Sequence, residues 1–157
     1  MAKNNIAWDT PIWSDEFIIK FDIIINTEIP GSKLNILHVA PNGVDLGYMG
    51  NNGYPAVFAG GKRFTICFIF QEESNEPCQY YDYVLGKLYH IEISQKKNPI
   101  EEAVYTISID GTTLYETINT MPEKFEYTIL YLSNPWFESV GNHVTLSNLK
   151  VEDYNGL

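Results

Sequence analysis

The side chains that could do chemistry in this sequence are few and scattered. His38, His90 and His143 are its only imidazoles, and long stretches of chain separate them. A lone histidine is more often structural than a metal ligand, and the spacing brings none together as a motif. The sequence has no G-x-S-x-G elbow, no phosphate-binding G-x-x-x-x-G-K-[ST], no H-E-x-x-H and no C-x-x-C pair. Gly61-Lys62-Arg63 lacks the first glycine of a phosphate loop. Glycosidic hydrolysis would need two carboxylates about 5–10 Å apart, a distance that residues i and i+2 of one strand can span. Glu126 with Thr128, and Lys20 with Asp22, make no such pair, and no E-x-D-x-E pattern occurs. Glu72-Glu73 and Glu101-Glu102 read as solvated charge runs. A β-sandwich hydrolase is therefore the minor alternative, and the expectation is a chain that is not an enzyme.

Binding is better represented. Ala40–Tyr54 holds five glycines and prolines together with Asn42, Asp45, Asn51 and Asn52, whose oxygens suit sugar hydroxyls or calcium. With Asp45 as its one acid, that loop gives no tight calcium cage, so the expectation is no cofactor, with calcium as the weaker option and Asp45 its candidate ligand. Tyr80, Tyr81 and Tyr83 cluster with Gln79 and Asp82, and such rings can stack on a sugar while their hydroxyls hydrogen-bond. Alternation along a strand would bury some of them. Trp136-Phe137 follows Asn134-Pro135, where two large rings either pin a loop to the core or meet a ligand. Cys67 and Cys78 lie eleven positions apart, and a disulfide and two free thiols are both open.

The elements that must position these residues read as strands. Asp110-Gly111 marks a tight hairpin between Val104–Asp110 and Thr112–Ile118, and a third strand covers Phe125–Leu132. Tyr105, Ile107 and Ile109 alternate, as do Phe125, Tyr127, Ile129 and Tyr131, which predicts one buried face on each. Glu16–Asn26 buries Phe17, Ile19, Phe21, Ile23 and Ile25, and leaves Ile18 and Ile24 on the other face. Further strands fall at Lys33–Val39, Pro55–Ala59, Arg63–Phe70, Cys78–Val84, Leu88–Gln95 and His143–Val151, with a hairpin turn at Gly60-Gly61. Trp8 and Trp13 sit in a lead-in that reads as an edge strand or a cap. No window carries helical periodicity with a cap signal. About ten short strands predict an all-β, antiparallel two-sheet sandwich in one domain spanning 1–157.

With 10 basic against 20 acidic residues, a net charge of −10 and a single arginine, Arg63, the surface repels phosphate backbones and anionic lipid. Nucleic acid and membrane insertion are excluded as expectations, and no apolar run is long enough to span a bilayer. The start of the sequence carries no apolar signal core.

The segments "LGKLYHIEIS", "YTISIDGTTLYET", "FEYTILYLSNPW" and "VTLSNLKVED" resemble the concanavalin A-like jelly roll shared by legume-type lectins, laminin G modules and galectins. "KLNILHVAPNG" resembles the galectin sugar-binding strand, His-x-Asn-x-Arg: His38 matches, while Ala40 and Asn42 replace the other two. "NILH", "YPAVF" and "NPW" resemble modules of extracellular animal proteins, which implies an extracellular location as a mature or excised domain, with a cytoplasmic one left open. The combined expectation is a non-catalytic, lectin-like recognition module. His38, Asn42, Asp45, Asn51, Asn52 and Arg63 would supply polar contacts, with Tyr80 or Trp136 as a platform. The alternative is a protein-binding adhesion or assembly domain of a larger extracellular or viral protein. It would bind protein rather than glycan, or self-associate as a homo-oligomer through faces such as that of Ile18 and Ile24.

Overall fold

A computed structural model describes residues 5–10, 14–29, 33–41, 55–68, 78–120, 122, 124, 127–132 and 141–153. The strands are β1 (Asn5–Thr10), β2 (Phe17–Ile25), β3 (Leu34–Pro41), β4 (Ala56–Gly60), β5 (Arg63–Cys67), β6 (Cys78–Asp82), β7 (Leu88–Lys97), β8 (Ala103–Ile109), β9 (Thr112–Asn119), β10 (Thr128–Leu132) and β11 (Val144–Asp153). A 3-10 turn at Gly141–His143 is the helical element among the described residues. A six-stranded sheet runs β1-β10-β3-β4-β5-β6 and a five-stranded sheet runs β11-β2-β7-β8-β9, every pairing antiparallel. This is the all-β jelly-roll sandwich of concanavalin A-like proteins.

Alternation makes the core. Phe17, Ile19, Phe21, Ile23 and Ile25 of β2 meet Tyr89, Ile91 and Ile93 of β7, Tyr105, Ile107 and Ile109 of β8, and Phe64 and Ile66 of β5 in one cluster. Phe64 sits edge-on to Tyr89 with ring centroids 5.4 Å apart, which joins the two sheets at one end. Phe68 and Tyr105 do so elsewhere, 4.7 Å apart. Each fully buried side chain of this size contributes about 1.5–3 kcal/mol.

The Asp110-Gly111 hairpin forms as the sequence predicts. Both residues have positive φ, 53° and 76°, matching the twist of the flanking strands. Gly61 and Lys62, at φ 56° and 66°, close the β4–β5 hairpin in the same way. The third strand departs from expectation. β10 leaves the β8–β9 hairpin for the other sheet, where it pairs with β1 and β3. Its inward residues are Thr128, Leu130 and Leu132, in register with Pro41, Val39 and Leu37, so Ile129 and Tyr131 face outward. Thr128-Ile129-Leu130-Tyr131-Leu132 alternates acceptably in either phase, and the apolar letters alone pick the wrong one. The lead-in is an edge strand, β1. Of the two residues considered above for association, Ile18 is 3% exposed and Ile24 is half-buried.

Candidate functional site

Because period two sends alternate residues to opposite faces, the outer face of the six-stranded sheet can be read from the register. One row across it is Tyr131–His38–Ala56–Cys67–Cys78, and the next is Asn35–Phe58–Thr65–Tyr80. A third ends in Gly60–Arg63–Asp82. His38, Arg63 and Tyr80, singled out from sequence, thus fall on one face of one sheet. Asn42, Asp45, Asn51, Asn52 and Trp136 lie outside the described residues. Among the described residues no group of three His, Cys, Asp or Glu could hold a metal ion.

The outer face is itself partly buried. Ala56, Phe58 and Cys67 form a second, small apolar cluster with Cys78 against it. Cys67 and Cys78 face each other across β5 and β6 and are joined by a disulfide. Amid this apolar surface sit two polar side chains, Asn35 and Thr65, at 2% and 1% exposure. Neither the Asn35 amide nor the Thr65 hydroxyl has a hydrogen-bond partner among the described residues. A buried polar group left unpaired costs about 1–3 kcal/mol, so such groups call for a reason. Asn35 sits where β3 slips its register against β4, between Asn35 and Leu37. That slip turns both Asn35 and His38 to the outer face.

His38 on β3 and Tyr131 on β10 stand directly opposite each other. Opposed residues of an antiparallel pair hold their Cβ atoms about 4.5–5.5 Å apart, so an imidazole and a phenol share one small space. Further along the sheet, Tyr80 is 53% exposed. The Arg63 guanidinium lies 5.6 Å and the Lys33 ammonium 5.7 Å from its ring centroid. In a chain of charge −10, that is a local cationic edge built around an aromatic platform. Arg63 is two strands and two rows from His38, roughly 16 Å at ordinary strand spacings. Tyr81 and Tyr83, by contrast, turn inward: Tyr81 packs on the core and Tyr83 lies 5.0 Å from the Phe64 ring centroid. Burial raises the Tyr83 phenol above its ordinary pKa, with the Glu28 charge adding to it.

Sequence reasoning missed Asn35, Thr65 and Tyr131. Asn35 was visible as the one polar residue in Leu34-Asn35-Ile36-Leu37. Tyr131 was hidden by the phase error on β10.

No protein-family model matches this sequence, and no curated protein does. Solved structures do. Alginate lyase Aly36B matches with a TM-score of 0.62 at 13% identity, over 96% of this chain and 73% of its own. An endo-β-1,4-glucuronan lyase from the fungus Trichoderma reesei matches with a TM-score of 0.59 at 11% identity, over 96% and 72%. Family 7 alginate lyase A1-II′, solved with a histidine-to-asparagine and a tyrosine-to-phenylalanine change in complex with substrate, matches with a TM-score of 0.60 at 13% identity. That match covers 96% of this chain but only 63% of the lyase. The likeness establishes the fold, one used by carbohydrate-active proteins. It also corrects the expectation of a chain that is not an enzyme, because these jelly rolls are polysaccharide lyases.

Proposed function

We propose that the outer face of the six-stranded sheet binds an acidic polysaccharide and cleaves it by β-elimination. The observation that carries this reading is the pairing of His38 with Tyr131 across β3 and β10, beside the Asn35 amide, which has no hydrogen-bond partner among the described residues. Cleavage of a 4-linked uronate by elimination needs three things. A base must take the proton from C5, next to the carboxylate. A donor must hold that carboxylate as negative charge spreads onto it. An acid must deliver a proton to O4 as the C4–O4 bond breaks and the C4–C5 double bond forms.

Neutral His38 supplies the base and the Tyr131 phenol supplies the acid. The Asn35 amide donates to the carboxylate in a surface already depleted of water by Ala56 and Phe58. At roughly 16 Å, Arg63 belongs to a different sugar of the same chain. There, with Lys33, it offsets a second carboxylate while Tyr80 stacks on the ring. The alginate and glucuronan lyases that share the fold act on polymers of this charge, which supports the substrate class. The test is incubation with alginate, glucuronan and a neutral β-1,4-glucan. Release of unsaturated ends from a polyuronate alone is expected, and a protein inert toward both polyuronates would refute the reading.

A further inference from the structure

The outward rows of the six-stranded sheet end in one that is built differently. Continuing the β3–β4 register by one pair sets Lys33 against Gly60, so this row reads Lys33–Gly60–Arg63–Asp82. On β4 the two rows before it carry Ala56 and Phe58, whereas Gly60 brings no side chain. A Cβ there would lie 3.0 Å from the Lys33 Cα and 3.6 Å from its Cγ, so the Lys33 stem crosses β4 at this gap. Its ammonium thereby comes within 5.7 Å of the Tyr80 ring centroid on the edge strand β6. The Arg63 guanidinium stands 5.6 Å from the same centroid.

Two cations thus converge on one exposed ring in a chain of net charge −10. Neither Lys33 nor Arg63 makes an ion pair among the described residues. That includes Asp82, which stands opposite Arg63 across β5 and β6. Bringing like charges together is unfavourable, and a bound anion offsets it. The place of this edge relative to the elimination pair follows from register. His38, Phe58 and Arg63 lie on one diagonal of the face, each one strand and one row beyond the last. From His38 to Arg63 is roughly 16 Å, the length of about three 4-linked sugar rings.

We propose that this face measures the length of its polymer. Resting on the elimination reading for the first position, it holds four consecutive uronates, from the ring at His38 and Tyr131 to a fourth on Tyr80. The carboxylate of the fourth lies between Lys33 and Arg63. The Asp82 carboxylate, next in the row and exposed, repels a fifth and closes the site. A short chain reaches His38 or Tyr80 but not both. A chain long enough to span them makes the second contact intramolecularly, so affinity climbs in a step at that length.

Titration calorimetry of the full chain carrying His38→Ala, which reads binding without cleavage, tests it. The ligands are β-1,4-linked glucuronate oligomers from dimer to hexamer, and the neutral β-1,4-glucan tetramer. The glucuronate tetramer should bind about tenfold more tightly than the trimer, and the glucan tetramer should show no such gain. Pentamer and hexamer should add only the factor of about two or three that extra registers give. Arg63→Met and Lys33→Met should each remove most of the step, and Arg63→Lys should keep it. Asp82→Asn should raise the pentamer-to-tetramer ratio about threefold. The proposal fails if trimer and tetramer bind alike, if affinity climbs steeply from tetramer to hexamer, or if Arg63→Met keeps the step. Unsaturated ends released by the parent with no step at four overturn it and leave the elimination standing. A step at four alongside a parent that releases none upholds it and overturns the elimination.

Discussion

Breaking the Cys67–Cys78 bond tests how the outer face of the six-stranded sheet, the proposed glycan site, is held together. The bond closes a loop of sequence separation 11, for which chain-entropy arguments give about 2–3 kcal/mol. Its partner strand β6 is the edge of the six-stranded sheet and carries Tyr80. Without the bond, β6 keeps its ladder to β5 and the packing of Tyr81 on the core. Domains of this kind have about 5–15 kcal/mol of stability, so the fold should survive with less in reserve. With a urea dependence of about 1–3 kcal/mol per molar, the unfolding midpoint should fall by about 1–2 M. The assay is urea unfolding followed by tryptophan fluorescence, with and without reductant, and repeated on a Cys67→Ala/Cys78→Ala chain. Both perturbed samples should also bind polyuronate more weakly, because Tyr80 then rides on a looser edge. Unchanged midpoints in the reduced protein and the double variant would refute the reasoning.

Other perturbations have equally definite outcomes. Thr65→Val removes a buried hydroxyl that has no partner among the described residues, so the melting temperature should hold or rise, by the equivalent of about 1 kcal/mol. A clear drop would mean the hydroxyl is satisfied in solution. Acid sensitivity follows from two carboxylates with depressed pKa values. Asp22 is held down by Asn148 and then His90, and Asp110 by the backbone N–H of His90 and then by Lys87. A carboxyl whose folded pKa lies below its unfolded one stabilises above the unfolded value, near 4, and loses that contribution as pH falls through the folded one. Asp22→Asn should therefore flatten the loss of melting temperature between neutral and strongly acidic pH. A variant with the parent's full acid dependence would contradict this.

The sandwich was legible because its strongest signals are local. Asp110-Gly111 allows little but a tight turn, and the five-residue alternation of β2 leaves one buried phase. Sheet membership was not legible. β10 is short and apolar in both phases, and which sheet it joins depends on β3, some ninety residues earlier in the chain. The site shows the same division. His38, Arg63 and Tyr80 stood out by residue type, yet their sharing of a face follows from long-range register. Asn35 reaches that face through a slip in pairing that no spacing rule announces. The alternation that exposes Tyr80 and buries Tyr81 and Tyr83 could be read in advance.

The most direct measurement is the ultraviolet absorbance of unsaturated uronate ends released from alginate and glucuronan by the parent chain, by His38→Ala and by Tyr131→Phe. Proton transfer by a positioned side chain is worth about 10²–10⁴-fold, so each variant should lose at least a hundredfold in rate while keeping its fold and its affinity for the polymer. Parent-level rates in both variants would contradict the account, as would the absence of any unsaturated product from the parent.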